Sequence, residues 1–127
     1  MAAVPDAEPA AGARPFRVML RMEIKPGLEE EFERVWQEVG TSVTTHPASL
    51  GQWLARSRDE EGVYYILSDW ADEERFREFE HSARHVEHRR ALHPYRRGGT
   101  MTTMRVVAHL GPDPDAPATH EEWEATA

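Results

Sequence analysis

The chain has 127 residues, a net charge of −8 and no cysteine. This is the length of a single domain, and without cysteine the chain has no disulfides, cysteine-ligated zinc or thiol catalysis. The acidic balance argues against general nucleic-acid binding, and no apolar run approaches the roughly 20 residues that span a bilayer. We therefore expect a cytoplasmic protein that binds neither nucleic acid nor a membrane.

Both ends of the chain have compositions that disfavour order. Residues 1–15 are rich in alanine, proline and acid, without the basic and apolar regions of a signal peptide. Residues 111–127 carry three prolines among acids and alanines, and can bury too little apolar surface to fold. We expect two disordered segments around one domain at residues 16–110, with Trp123 either exposed or docked on a neighbouring protein.

The first elements follow from the spacing of apolar residues. Residues 16–24 alternate apolar and mostly polar side chains, the pattern of a half-buried strand. After a turn at residues 25–27, apolar residues between 28 and 43 recur at steps of three and four, as on the buried face of a helix. Acids in the first turns of this helix suit its dipole. Residues 46–47, a histidine and a proline, end it.

The second half of the chain predicts two more strands, a helix and a final strand. The predicted elements are a strand at 50–56, a strand at 63–70, a helix capped by Asp72 and a strand at 100–110 after the glycine pair 98–99. The order β-α-β-β-α-β predicts a ferredoxin-like α+β fold. Helices cover only one face of such a sheet. Apolar residues on both faces, such as Val106 and Val107, therefore favour a homodimer.

Several short motifs resemble those of a known family. They are the turn at 25–27, the stretch at 46–51, the corner at Trp70 and the stretch at 82–85. Together they resemble the antibiotic biosynthesis monooxygenase family, the dimeric α+β barrels, over nearly all of residues 16–110. The segment 93–104 resembles the small quinone-forming oxygenases of aromatic polyketide pathways.

The resemblance implies an enzyme that oxidises an anthrone-type aromatic polyketide to a quinone, with dioxygen as co-substrate and no flavin, haem or metal. The sequence itself carries no dinucleotide turn, P-loop or cysteine-based metal motif. Some family members place an amide on the third strand, but Tyr65, Ile66 and Ser68 stand here, so the role of that amide does not carry over. The alternatives are a polyketide cyclase that consumes no oxygen and a non-catalytic or haem-binding barrel.

Trp70, at the corner between a strand and a helix, has two interpretations. As a catalytic residue, its ring would stack on a flat polycycle and its indole N–H would donate to a substrate oxygen. As a core residue, it would only pack. The family resemblance raises the weight of the first interpretation. Trp36 and Trp53 are interpreted as core residues.

Three histidines follow, and their orientation depends on whether the helix continues past Ser82. On an unbroken helix His81, His85 and His88 would face solvent. The family pattern implies a break at Ser82, a good N-cap, which would turn His85 and His88 inward together with Leu92. We expect His85 and His88 to be catalytic and His81 to be exposed. No carboxylate or cysteine completes the set as a zinc site at motif spacing.

Polar and basic residues complete the predicted site. Gln52 and Tyr65 lie on middle strands, where an inward side chain can hydrogen-bond a phenol, although cross-strand packing is the commoner role. Arg90 belongs to a basic segment, residues 84–97, with three interpretations: a solvated surface, a rim for a phenolate or carboxylate, or a docking patch for an acidic carrier protein. Arg105, within an apolar run, should face a pocket or a partner sheet. The expected substrate-binding residues are Gln52, Tyr65, Phe76, Arg90 and Arg105.

Overall fold

A four-stranded antiparallel sheet forms the frame of the molecule. The computed structural model describes residues 14–112. Its elements are β1 (Phe16–Ile24), α1 (Glu29–Thr44), β2 (Ser49–Arg56), β3 (Val63–Trp70), α2 (Glu73–Glu80), α3 (Ala83–Leu92) and β4 (Arg96–Arg105), with a 3₁₀ turn at His93–Tyr95. The strands lie in the order β2-β3-β1-β4, and every neighbouring pair is antiparallel. This is the predicted ferredoxin-like α+β fold.

Two of the sequence predictions concern the ends of the chain. The segments expected to be disordered, residues 1–15 and 111–127, fall mostly on residues 1–13 and 113–127, which lie outside the described residues, as does Trp123. Across residues 14–112, no helix combines the length and the apolar character needed to cross a membrane.

The two central strands place alternate residues against the helices. Val18 on β1 lies directly opposite Ser68 on β3, and Leu20 lies opposite Ile66. Side chains at opposed positions share one face of the sheet. This face is buried, with Val18 at 2% and Trp70 at 1% exposure. The predicted limits of both strands are confirmed.

Helix α1 buries the stripe that its apolar spacing predicts. Its buried residues are Phe32, Trp36, Gly40 and Val43. Trp36 is 9% exposed, in agreement with its interpretation as a core residue. The first turn carries three glutamates, where the positive end of the helix dipole stabilises acids.

The helical segment after β3 is broken as predicted. The Asp72 carboxylate accepts a hydrogen bond from the backbone N–H of Arg75 at 2.8 Å and caps α2. Helix α2 ends at Glu80, and the Ser82 hydroxyl then accepts from the backbone N–H of His85 at 3.2 Å to begin α3. The second cap changes the direction of the chain and therefore sets which side of α3 meets the sheet.

Strand β4 differs from its prediction at both ends. It begins four residues before the predicted start at position 100 and ends at Arg105. Gly98 and Gly99, predicted to precede the strand, pair with β1 inside it. A Cβ at Gly99 would lie 2.9 Å from the Arg21 carbonyl oxygen, so glycine here permits close strand pairing rather than a turn. Val106 and Val107 lie beyond the strand, which removes them as an argument for a dimer.

The opposite face of the sheet is left open by the described helices. Leu67 at its centre lies opposite Met19 on one side and Trp53 on the other. Trp53 is 55% exposed, so its interpretation as a core residue is wrong. Alternation along β2 points it away from the helices. Beside this apolar row, Arg17 and Asp69 form a two-pronged ion pair at 2.6 and 2.8 Å.

Candidate functional site

A cavity of about 320 Å³ lies between the helix-covered face of the sheet and the helices. This volume is within the usual range of small-molecule sites, at its lower end. Its apolar lining includes Val18, Leu20, Ile66, Trp70, Phe76 and Phe79. Flat aromatic and aliphatic walls of this kind suit a planar apolar ligand. Phe76 therefore lies where the sequence predicted a substrate-binding residue.

Trp70 forms one end of this cavity and is held in a cluster of rings. Its ring centroid lies 5.3 Å from Phe76, 5.0 Å from Phe79 and 5.5 Å from His46. Its Nε1–H donates to the Ser68 hydroxyl oxygen at 3.0 Å. In this structure the N–H is therefore already hydrogen-bonded to a protein acceptor, and donation from it to a substrate oxygen stays a prediction. Residues two apart on a strand lie on the same face of the sheet, so the Ser68 hydroxyl is within reach of the indole N–H.

His85 and His88 line the cavity, whereas His81 is exposed. The ring of His85 lies 4.8 Å from that of Phe79 and 5.9 Å from that of His88, with the two imidazoles stacked. His88 Nδ1 lies 3.3 Å from the carbonyl oxygen of Val39 on α1. Because a carbonyl only accepts, this nitrogen carries the proton and Nε2 carries the lone pair. The cap at Ser82 has produced the predicted orientation of the three histidines.

Both inward histidines are neutral at physiological pH. The pKa of His85 is lowered to about 4, mainly by burial and also by the nearby His88 and Arg89, against an opposing effect of Glu80. Burial also lowers the pKa of His88, while its hydrogen bond to the Val39 carbonyl opposes that shift. A neutral imidazole has a lone pair that can accept a proton, so either ring can serve as a base.

Two buried polar atoms face this region without a protein partner. Within residues 14–112, the only buried side-chain nitrogens or oxygens lacking a hydrogen bond are His85 Nδ1 and Trp36 Nε1. Both side chains line the cavity. Buried polar atoms in folded proteins are nearly always paired, and unpaired ones tend to mark functional sites.

A small polar area lies on the sheet floor beside Trp70. Gln52 and Ser68 both line the cavity and stand directly opposite each other on β2 and β3. The Gln52 amide nitrogen donates to the Gly40 carbonyl oxygen at 2.9 Å, which ties the floor to α1. The predicted place of Gln52 in the site agrees with this geometry.

Three predicted substrate-binding residues lie outside the cavity. Tyr65 lies opposite Arg21 on β1. It belongs to the open face, because it is an odd number of residues from Trp70 and successive residues of a strand point to opposite faces. Arg90 is exposed and lies 3.8 Å from Glu87, one helix position past the residue that faces the cavity. Arg105 is exposed at the end of β4, because the strand stops where the prediction placed its middle.

Other lining residues were not among the five named as substrate-binding, although the sequence contained signals for them. Arg89 lines the cavity and is four residues after His85, which puts both on one side of α3. Ser68 is two residues before Trp70 and therefore shares its face. Arg96 lines the cavity from the first position of β4, and the late predicted start of that strand concealed it.

The arrangement offers no obvious metal site. Among residues 14–112, no three histidine, aspartate or glutamate side chains are grouped so that they could hold a metal ion. His85 and His88 therefore lack a third ligand in the part of the chain that the structure describes. The chemical resources of the cavity are an aromatic wall, two neutral imidazoles, a hydroxyl, an amide and the arginines at its edge.

Comparison with known proteins identifies relatives of most of this domain. A family model described as antibiotic biosynthesis monooxygenase matches residues 15–91. Protein SchA of Streptomyces halstedii is 30% identical over 98 residues, which are 75% of this chain and 26% of that protein. The chain thus spans about a quarter of the length of this curated relative.

Solved structures share the fold. A Caulobacter crescentus CB15 protein, whose description names the same family, matches with a TM-score of 0.69 and 23% identity over 76% of this chain and 92% of that one. A mutant of SnoaB from Streptomyces nogalater, described as a cofactor-independent oxygenase, matches with a TM-score of 0.69 and 20% identity over 77% of this chain and 98% of that one. At these identities the likeness establishes the fold.

Proposed function

This chain belongs to the antibiotic biosynthesis monooxygenase family, and from that premise we propose that it oxidises an anthrone-type polycyclic phenol to a quinone with dioxygen and no cofactor. The observation that carries the proposal is the neutral His85 imidazole at the wall of an aromatic cavity. Its partnerless Nδ1 and its ring contact with Phe79 put a base beside the surface on which a flat substrate would lie.

The reaction needs only a base and a sheltered site, because an anthrone supplies its own electrons. His85 removes a proton from the ring CH₂ group and leaves a delocalised carbanion. The carbanion gives one electron to dioxygen, and the radical pair combines to form a C–O bond. The protonated His85 returns its proton to the peroxide anion, and the resulting hydroperoxide then loses water: a second proton leaves the same carbon, the O–O bond breaks with departure of hydroxide, and the carbon becomes a carbonyl. One oxygen atom enters the quinone and the other becomes water.

The residues of the cavity have separate roles in this proposal. A general base typically contributes about 10²–10⁴ in rate. Because His85 is neutral, it can take the proton without first losing one of its own. The ring of His88 stacks against that of His85, and Arg89 stabilises the negative charge that develops on substrate oxygen. Trp70 and Phe76 exclude water and hold the ring plane.

The related structures support a cofactor-free reaction. SnoaB is described as a cofactor-independent oxygenase, and it covers the same domain at similar length. Its low sequence identity leaves the substrate of the present chain to be inferred from the cavity. The aromatic walls favour a flat polycycle, which is why an aromatic polyketide is the proposed substrate class.

The open face of the sheet supports a homodimer as the proposed assembly. Met19, Leu67 and Trp53 form an apolar row across three strands, and Trp53 is more than half exposed in one chain. A row of this kind is costly in water and is commonly covered by a second subunit. Beside it, Arg17 and Asp69 form an ion pair within one chain. A symmetric second copy therefore need not supply an opposite charge to either residue.

Oxygen uptake tests the proposed reaction. Purified protein is mixed with an anthrone in an oxygen electrode, and quinone is followed by its absorbance, with heat-denatured protein as the control for spontaneous oxidation. We expect one dioxygen consumed for each quinone formed. A product that forms without oxygen uptake would instead indicate a polyketide cyclase, the alternative reaction class for this barrel.

A further inference from the structure

We propose that Ser68 and Gln52 form a pair that binds a phenolic hydroxyl of the substrate, and that Trp70 acts as the residue that positions Ser68. This inference rests on the proposed function, because it names the group by which the cavity recognises an aromatic substrate. Three features carry it: the direction of the indole N–H, the anchoring of the glutamine amide and the register of two strands.

The Trp70 indole fixes the hydroxyl of Ser68. The indole N–H donates to Ser68 Oγ at 3.0 Å, and the packed rings of Phe76 and Phe79 leave the indole little room to turn. A hydroxyl that accepts one hydrogen bond still has its own proton to donate. Within residues 14–112, Ser68 Oγ donates to no protein acceptor, and Ser68 lines the cavity. Its O–H can therefore bind a ligand oxygen.

The Gln52 amide presents its oxygen to the cavity. Its nitrogen donates to the Gly40 carbonyl at 2.9 Å, and only the nitrogen of an amide can donate, so its orientation is fixed. A Cβ at position 40 would lie 3.0 Å from that nitrogen, so glycine leaves room for the bond. Gln52 Oε1 accepts no hydrogen bond from the described residues. It remains as an acceptor for a ligand.

The strand register brings this donor and this acceptor together. Gln52 lies directly opposite Ser68, and side chains at such positions have Cβ atoms about 4.5–5.5 Å apart. The surrounding floor is apolar. A neutral phenol matches the pair because its oxygen accepts from Ser68 while its proton is donated to Gln52. A methyl ether can only accept, so the pair discriminates between the two.

Binding of a stable product-like probe tests the pair without any oxidation. Affinities of 2-hydroxyanthraquinone and of its O-methyl ether are measured by calorimetry, at a pH where the phenol is neutral. We expect the wild-type protein to prefer the phenol by roughly tenfold, which is the value of one hydrogen bond of ordinary strength. Ser68→Ala and Gln52→Met should each bring the ratio of affinities close to unity.

Two further variants separate positioning from packing. Ser49→Ala is the matched control, because Ser49 is a buried serine on the neighbouring strand outside the cavity, and it should keep the wild-type ratio. Trp70→Phe removes the indole donor and should lower the ratio in the wild-type background but leave it unchanged in Ser68→Ala. A purely structural role for Trp70 would weaken both probes alike.

The possible outcomes distinguish failure of the Ser68–Gln52 pair from failure of the proposed oxygenase. An undiminished preference for the phenol in Ser68→Ala or Gln52→Met overturns the proposed Ser68–Gln52 pair. A wild-type protein that binds neither probe, or binds both equally well, also overturns it. Loss of the ratio in Ser49→Ala would also overturn it. A retained phenol preference with no oxygen uptake from anthrones would leave the pair in place and reject the proposed oxygenase. Oxygen uptake from anthrones without the phenol preference would leave the proposed oxygenase in place and reject the pair.

Discussion

The two faces of the sheet are built from the same strands but have opposite chemistry. On β3, Ser68 and Trp70 point toward the helices and line a cavity, whereas Leu67 and Asp69 point to the open face. On the covered face, Ser68 and Gln52 are neutral, and each makes a hydrogen bond within the chain. The open face carries an ion pair and a half-exposed tryptophan.

This difference predicts that the proposed catalysis and the proposed assembly can be changed independently. Alternation along a strand sends neighbouring residues to different faces, so a substitution at one position leaves the next face intact. Substitutions on the covered face should alter ligand binding and turnover. Substitutions on the open face should alter association between chains.

The largest expected effect comes from matched tryptophans on the two faces. Trp70→Ala should lower the free energy of unfolding by about 3–5 kcal/mol, because it leaves a cavity in a cluster of packed rings. Trp53→Ala removes a side chain that is 55% exposed and should cost the isolated chain far less. Urea unfolding at a fixed low protein concentration measures both. Equal losses would contradict the assignment of the two faces.

The next comparison is between two histidines on successive helical segments. His85→Ala should reduce kcat/KM by about 10²–10⁴-fold, since it removes the proposed base. His81→Ala should change it little, because this ring is exposed and its Nδ1 lies within hydrogen-bond distance of the Arg77 carbonyl oxygen. Steady-state quinone formation with melting temperatures as a control for folding gives the answer. Similar losses in both variants would reject His85 as the base.

We expect substitutions on the open face, and not those elsewhere, to change the association of chains. Leu67→Glu places a charge at the centre of the apolar row and should convert a dimer into a monomer at micromolar concentration, as measured by light scattering. Val107→Glu is the control, because this apolar residue is 70% exposed beyond β4. It should leave the mass unchanged. A wild-type chain that is already monomeric would refute the proposed dimer.

The smallest expected effect is on the pH dependence of stability. His85 has a pKa of about 4 in the folded chain against 6.5 ordinarily, so the unfolded chain binds more protons between these values. Stability should therefore fall as the pH drops from 6.5 toward 4. His85→Asn should flatten this dependence in urea titrations at neutral pH and at about pH 5. An unchanged slope would mean that His85 is not buried as a neutral ring.

Most of the fold could be predicted because its signals are local. Alternation predicted the limits of β1, and a strand-like run predicted those of β3. The family resemblance and the serine cap predicted the break that turns His85 inward. The errors arose where long-range pairing decides the outcome. Gly98 and Gly99 have the composition of a turn, yet close packing against β1 places them within a strand.

The candidate site was predictable only in part, for the same reason. Tyr65 was assigned to the site by residue type, but the face of the sheet on which it lies depends on its spacing from Trp70 along β3. Arg90 was one helix position from Arg89, which lines the cavity. The capture of the Trp70 N–H by Ser68 depends on side-chain geometry that spacing does not specify.

The most direct test of the central proposal follows the oxygen atoms. Protein treated with a chelator, so that no adventitious metal contributes, is given an anthrone under isotopically heavy dioxygen, and the quinone is analysed by mass spectrometry after correction for spontaneous oxidation. The proposed cofactor-free monooxygenase predicts one heavy oxygen atom in the new carbonyl. The rate should be undiminished by the chelator and lowered about 10²–10⁴-fold in His85→Ala. Product oxygen drawn from water, or a reaction that stops until a metal is restored, would contradict it.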